Sequence, residues 1–282
     1  MTKDQTQQKQ LANDFLALHH NSETFILPNA WDAMSAKMFE IEGFKAIGTT
    51  SAGVAATLGH ADGQAMNVEE NIQVVRRIVE NCKVPVSADI EAGYGETIEE
   101  IVSSAQQVIE CGAVGLNLED STGNPDKPMY DKFLQAEKIR AIREVANSCD
   151  IHLCINARTD SYLTEADPKT KLNDAIDRGN LYKEAGADCI FVPDVGDLDR
   201  KTIQVLVKEI DAPINVIAGP TIPSIEVLNE IGVSRVSLGP RPMRAVYSLL
   251  KDISNELKTT GTYKTMSETS ITYAEVNSWF EK

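Results

Sequence analysis

The feature that most constrains the fold is an alternation repeated eight times. A short run rich in Val, Ile and Leu is followed each time by a longer stretch with helical spacing of its apolar residues. The short runs are TFILPNA (Thr24 to Ala30), FKAIGTTSAG, VPVSADI (Val84 to Ile90), AVGLNLED, HLCINARTD, CIFVPD, PINVIAGP and SRVSLGP. They lack strict alternation of apolar and polar residues, as expected of parallel strands buried on both faces. Between them lie helix-like stretches such as Trp31 to Glu42, VEENIQVVRRIVENC and TIEEIVSSAQQVIECG. Four of these end on a Gly just before the next strand, in EGFKAI, CGAVGL, AGADCI and IGVSRV, the usual stop for a helix. FKAIGTTSAG leads into a Gly-rich loop. Eight βα units predict a (β/α)8 TIM-type barrel rather than an open doubly wound sheet. No G-x-G-x-x-G turn follows the first strand, which disfavours a dinucleotide site.

The chain has 282 residues, one barrel of about 250 residues plus an extension. We expect a single α/β-barrel domain over 1–282, with the barrel at about 24–246 and a C-terminal helical extension at about 247–282. In that extension RAVYSLLKDISNEL is amphipathic and Trp279 and Phe280 are adjacent aromatics, so a partner surface is expected to cover it. Acidic residues outnumber basic ones by 42 to 27, giving a net charge of −15. Such a surface repels phosphate backbones and anionic lipid heads, so neither nucleic acid nor membrane is an expected partner. An anionic substrate then requires a site with its own positive charge or a metal. Five dispersed cysteines (Cys82, Cys111, Cys149, Cys154, Cys189) form neither a disulfide framework nor a zinc cluster and read as small buried hydrophobes. The polar opening MTKDQTQQKQ has no apolar signal core, and no run approaches the ~18 apolar residues of a membrane span, so a cytoplasmic location is expected.

In a barrel of this kind chemistry sits at the carboxyl ends of the strands. The residues found there are Asn29, Asp32, Thr50 to Gly53, Asp89, Glu91, Glu119, Asp120, Arg158, Asp160 and Asn215. Asp89, Glu91 and Glu119 come from neighbouring strands and offer hard oxygen ligands for a divalent cation such as Mg²⁺. The competing reading is N-capping of the helix that starts near Thr97. Arg158 either clamps a substrate carboxylate or pairs with Asp160 or Glu119. The Thr50-Ser51-Ala52-Gly53 turn either offers backbone N–H groups to an anion or is tight for packing alone. His60 follows a Gly in a loop and has no evident partner, and His152 reads as a structural residue within the fifth strand.

Taken together, VSADIEAGYG, GLNLEDS, INARTDSYL, TTSAGVAATLGHAD and SRVSLGP resemble the isocitrate lyase/phosphoenolpyruvate mutase family, over roughly Phe25 to Val246. The resemblance implies Mg²⁺ (or Mn²⁺) dependence and chemistry on a small anionic α-keto or α-hydroxy carboxylate. It also implies a homotetramer, a dimer of dimers that exchange their C-terminal helices. It places the metal on Asp89, Glu91 and Glu119, the carboxylate-binding arginine on Arg158 and the backbone anion site on Ser51, Ala52 and Gly53. A further active-site acid falls on Asp62. Asp62, Arg158 and Glu119 are thus the expected catalytic residues, with Ser51, Ala52, Gly53, Arg158 and Asn215 around the substrate.

The departures bear on the reaction. Where isocitrate and methylisocitrate lyases carry a K-K/R-C-G-H loop, this chain reads STGNPDKPMYD (Ser121 to Asp131), without Cys or His. Phosphonate-processing members begin that loop E-D-K; here Ser121 follows Glu119-Asp120. Glu91 stands where relatives with D-x-D have Asp. The leading expectation is a Mg²⁺-dependent lyase cleaving a C–C bond of a small 2-oxo or 2-hydroxy (di)carboxylate through a metal-stabilised pyruvate-type enolate. The alternatives are a phosphoenolpyruvate mutase or phosphonopyruvate hydrolase-like enzyme acting on a C–P bond, and a barrel that binds a carboxylate without turnover. The loop from Ser121 to Asp131 is expected to be a mobile lid, with Lys127 as its cation.

Overall fold

The computed structural model describes residues 4–164, 166–194, 196–268 and 271–281, and the chain divides into two units, Met1–Gly239 and Pro240–Lys282. In the first unit the elements run α1 (Gln5–His19), β1 (Phe25–Leu27), β2 (Asn29–Ala30), α2 (Ala33–Ile41), β3 (Ile47–Thr49), α3 (Ser51–Leu58), α4 (Val68–Asn81) and β4 (Val86–Asp89). They continue with α5 (Ile98–Glu110), β5 (Gly115–Glu119), α6 (Lys132–Ser148), β6 (Cys154–Arg158), α7 (Pro168–Glu184), β7 (Cys189–Val192), α8 (Arg200–Glu209), β8 (Ile214–Ile217), α9 (Ile225–Ile231) and β9 (Arg235–Ser237).

Among the described residues the nine strands form one all-parallel sheet in the order β1-β9-β8-β7-β6-β5-β4-β3-β2. β1 and β2 are two halves of a single run interrupted at Pro28, which has no N–H to give a ladder. The first half pairs with β9 and the second with β3, and the Pro28 carbonyl still accepts the Gly48 N–H at 2.9 Å. The run therefore closes the sheet into the expected barrel. The four helix-ending glycines, Gly43, Gly112, Gly186 and Gly232, all have φ between 86° and 110°, which a side chain would resist.

Neighbouring strands of such a barrel are staggered by about one residue, so inward side chains of alternate strands share a level. The registers place Asn29, Asp89, Arg158 and Ile217 on the upper level, and Gly48, Asn117, Phe191 and Ser237 below it. Leu27, Ser87, Asn156 and Asn215 follow, and then Gly115, Cys189 and Arg235 near the floor. The floor is closed by α1, a helix that precedes the first repeat. Its Phe15 is fully buried and packs edge-on against Phe25 and His19. A Cβ on Gly115 would stand 2.7 Å from Phe15 Cε1, so the glycine makes room for this plug. Burial and the Arg235 charge push the His19 imidazole down to about 3, which keeps it neutral.

Two local expectations are corrected. The segment after β3 is not a loop but α3, an Ala-rich helix ending on Gly59 at φ 84°. His152 precedes β6 rather than lying in it, and its Nε2 meets Asp188 Oδ1 at 2.8 Å. Four of the cysteines are buried, as expected; Cys149 is partly exposed.

The second unit holds α10 (Arg241–Thr259), α11 (Lys264–Ser267) and α12 (Tyr273–Ser278). Along α10, Val246, Leu249, Leu250 and Leu257 are exposed at three-, four- and seven-residue spacings, which puts them on one face. Among the described residues no helix is long and apolar enough to cross a membrane.

Candidate active site

The mouth of the barrel is built around Asp89, the last residue of β4. Its Oδ2 accepts the N–H of Ser51, the first residue of α3, at 3.0 Å. Oδ1 accepts from Asn117 Nδ2 at 3.2 Å and from the Glu91 N–H at 3.3 Å. The Thr50-Ser51-Ala52-Gly53 stretch is thus the first turn of a helix, and its amino end already faces a negative charge. Gly53 is required there for packing, because a Cβ would stand 2.8 Å from Trp31 Cβ and 2.7 Å from Thr50 Cγ2.

Glu91 adopts a left-handed backbone, φ 51°, and is almost wholly buried. Its Oε2 accepts the Gln64 N–H at 2.6 Å and its Oε1 the Tyr94 hydroxyl at 2.8 Å. Gln64 and Tyr94 also have positive φ, so three of the four such non-glycine residues described in the chain meet at this corner. Concentrated backbone strain of this sort is a mark of functional sites. Burial first, and the charge of Asp89 second, push the Glu91 carboxyl up to about 7. Asp62, at the rim, is raised by the same two causes, while the Ser51 side chain and the Gly63 N–H pull it down.

Glu119 ends β5 and points inward. Burial and the neighbouring acids Asp160, Asp89 and Glu91 raise its carboxyl, and Arg158 opposes them. Arg158 Nη1 reaches Glu119 Oε2 at 2.6 Å, while Nε and Nη2 form a fork onto Asp160 at 2.6 and 3.0 Å. The guanidinium lies 5.9 Å from the Phe191 ring centre. In the structure the Arg158 fork is therefore held by two protein carboxylates. An incoming carboxylate has to compete with one of them.

Two expected mouth residues lie elsewhere. Asp120 follows Glu119 but faces outward, as the period of two along a strand requires. Fully buried, it accepts from Tyr182 Oη at 2.7 Å, Arg178 Nη1 at 3.0 Å and the Asp160 N–H at 2.9 Å, bracing the ends of β5 and β6 against α7. Asn215 is the second residue of β8 and sits deep in the barrel with no solvent exposure. His60 does have a partner, Glu70 Oε1 at 3.4 Å. The sequence reading missed Asn117, Asn156, Gln64 and Tyr94. The two asparagines had a signal, as polar residues at inward positions of otherwise apolar strands.

Among the described residues, no three His, Cys, Asp or Glu side chains converge as a ready ligand set for a metal. Glu91 is turned toward Gln64 and Tyr94, and Glu119 toward Arg158. The donor chemistry nevertheless suits one class of ion. Asp62, Asp89, Glu91 and Glu119 are all hard oxygen donors, and burial first and neighbouring acids second raise Asp62, Glu91 and Glu119. Mg²⁺ is commonly held by one or two carboxylates with water completing its shell. The carboxylates fit an ion held in that way in the chemistry of their donors, with Asp89, Glu91 and Glu119 as the residues that would hold it directly or through water.

These features define an α/β-barrel protein with an acid-rich mouth and one clamped arginine. The sequence model of the phosphoenolpyruvate phosphomutase family matches residues 15–258. The chain is 37% identical over 231 residues to an uncharacterized protein of Mycobacterium tuberculosis strain H37Rv, covering 82% of this chain and 83% of that one. It is 28% identical over 264 residues to 2,3-dimethylmalate lyase of Eubacterium barkeri, covering 89% and 88%. A crystal structure from Burkholderia cenocepacia J2315, described as a lyase or mutase, superposes with a TM-score of 0.90 at 31% identity and covers 98% of both chains. The chain belongs to the phosphoenolpyruvate mutase/isocitrate lyase family.

Proposed function

We propose that the protein is a carbon–carbon lyase acting on a small 2-hydroxy or 2-oxo dicarboxylate, with Mg²⁺ or Mn²⁺ held at Asp89. The observation that carries this reading is the placement of Asp89 and Glu119 at the ends of the neighbouring strands β4 and β5, with Glu91 just beyond β4 and Arg158 paired to Glu119 from β6. Like charges gathered at this density call for a cation, and the cation in turn draws an anionic substrate. When bound, the metal supplies Lewis acidity to the substrate's 2-oxygen.

The chain's own residues do the rest. A substrate carboxylate displaces Glu119 from Arg158 Nη1, while Asp160 keeps the guanidinium plane in place. With the Ser51 N–H held by Asp89, the Ala52 and Gly53 N–H groups in the first turn of α3 favour negative charge at the reacting end. Asp62, on the rim with a raised carboxyl, carries a proton. For a 2-hydroxy dicarboxylate, loss of the hydroxyl proton breaks the C2–C3 bond. That step yields a 2-oxo acid and leaves the electron pair on the carboxylate fragment, which is then protonated. A pyruvate-type enolate arises instead when the C3–C4 bond of a 2-oxo dicarboxylate breaks, the electron pair staying on C3 and C4 leaving as carbon dioxide. Closure of the 121–131 segment keeps water from either carbanion.

A second reading, C–P bond chemistry, is favoured by the description of the matching family model. The two separate in one assay with Mg²⁺ and oxaloacetate, substituted malates, phosphonopyruvate and phosphoenolpyruvate. A 2-oxo acid released without phosphate supports the lyase; phosphate from phosphonopyruvate supports the second reading. Silence across the panel overturns both and leaves a carboxylate-binding barrel. The apolar face of α10 supports assembly through the C-terminal helices into a homotetramer, and the protein's location is taken to be cytoplasmic.

A further inference from the structure

The barrel interior below the acid ring carries polar side chains whose hydrogen-bonding capacity is unfilled. Arg235, on β9, is 3% exposed, and its Nε and Nη1 have no partner. Both amide atoms of Asn215 and Oδ1 of Asn156 are likewise unpartnered. Arg235 and Asn215 are register partners on adjacent strands, and Asn156 shares the level of Asn215. Five buried polar atoms of both donor and acceptor type therefore face one short length of the barrel axis. Groups of mixed type in a polar space are what ordered water satisfies. An arginine does not escape burial by losing its proton, so its charge persists.

The upper end of this region is connected. Asn156 Nδ2 donates to Asn117 Oδ1 at 2.7 Å, and Asn117 Nδ2 donates to Asp89 Oδ1 at 3.2 Å. The relay thus runs from Asp89 down to Asn156, whose Oδ1 is buried without a partner one level above Arg235. Cys189 and Gly115 share the level of Arg235 and Cys154 and His19 lie at the floor, while the Asp188 carboxylate beside Cys189 is already held by Arg143, His152 and the Ile155 N–H. No ion pair of Arg235 occurs among the described residues, and the charge of Asp89 reaches it.

We propose that Arg235 is a positioning residue that acts on Asp89 from inside the barrel, through interior water, Asn156 and Asn117. Its buried charge sits under the mouth as a counterweight to the acid ring. It opposes an incoming cation and favours an incoming anion, so that substrate and metal are held in balance. This inference rests on the metal reading given above.

The test compares the full-length wild type with Arg235→Met, which removes the charge at similar length, and Arg235→Lys, which keeps it. Mn²⁺ affinity is read by titration calorimetry, and oxalate affinity at saturating Mn²⁺. Loss of the charge is expected to tighten Mn²⁺ and weaken oxalate, each by about tenfold, the size of a unit charge at this range in a protein interior. Arg235→Lys stays near wild type in both. A purely structural role lowers both affinities together. Any pattern without opposite signs overturns the proposal. A metal-free crystal structure of the wild type gives an independent reading. Ordered water joining Arg235 to Asn156 Oδ1 supports the proposal, and a guanidinium bonded only to main-chain carbonyls overturns it. Wild type that binds no Mn²⁺ refutes the metal reading, and the water structure then still decides the role of Arg235.

Discussion

Lys138 on α6 is expected to destabilise the fold, and its removal to stabilise it. The side chain is 3% exposed, its Nζ has no hydrogen-bond partner, and it lies 3.4 Å from the centre of the Tyr130 ring. Burial pulls the ammonium from 10.5 down to about 8, with Asp120 opposing. At about 1.4 kcal/mol per unit, that gap sets a ceiling of about 3.5 kcal/mol on the cost of the charge in the folded state. Below pH 8 both folded and unfolded chains hold the proton, and the full cost is present. Between pH 8 and 10.5 the unfolded chain binds more protons, so stability rises with pH across that window. Lys138→Met keeps the length of the side chain and removes the charge. We expect it to gain about 1–3 kcal/mol in urea unfolding at pH 7, and the gain to shrink steadily by pH 10. Other titrating groups cancel in the difference between the two proteins. A variant less stable than wild type at pH 7, or a difference that does not change with pH, refutes the reasoning.

Three further outcomes are expected. Asp120→Ala leaves the Arg178 guanidinium and Tyr182 hydroxyl without their shared acceptor, and should cost about 3–5 kcal/mol in chemical denaturation, as for breaking a buried ion pair. Leu249→Asp with Leu250→Asp, on the exposed face of α10, should turn an assembled species into monomers by light scattering; a wild type already monomeric at micromolar concentration contradicts the assembly proposal. The segment 121–131 should gain protection from hydrogen exchange only with Mg²⁺ and oxalate together, and equal protection without them removes the lid.

The barrel was legible because its signals are local and repeated: buried Val/Ile/Leu runs, and glycines at positions that demand positive φ. Two helices were not read. α3 begins at a strand end with no side-chain cap from Thr50, and its eight residues, SAGVAATL, carry no charged or amphipathic pattern, so it lacks the usual start signal. α1 has its cap in Asp4, but it precedes the repeat, and only the closed floor shows what Phe15 covers. At the mouth, the acids and Arg158 could be named from strand ends, whereas their pairing could not. Asp120 and Glu119 are neighbours in sequence on opposite faces of one strand. The left-handed backbone of Glu91 leaves no trace in residue type, and its partners Gln64 and Tyr94 come from separate loops. The 121–131 segment reads as irregular, yet it folds back on itself, with Ser121 bridging Met129 and Thr122 N–H bound to the Pro128 carbonyl at 3.0 Å.

The central claim is that Asp89 anchors a divalent cation on which an anionic substrate depends. The most direct measurement is the thermal midpoint of wild type and Asp89→Ala with Mg²⁺, with oxalate, and with both. Wild type is expected to be stabilised most by the pair, and Asp89→Ala to stay folded but lose the Mg²⁺-linked shift, since the residue lies at the mouth rather than in the apolar packing. An Asp89→Ala protein that responds to Mg²⁺ and oxalate as the wild type does would contradict it.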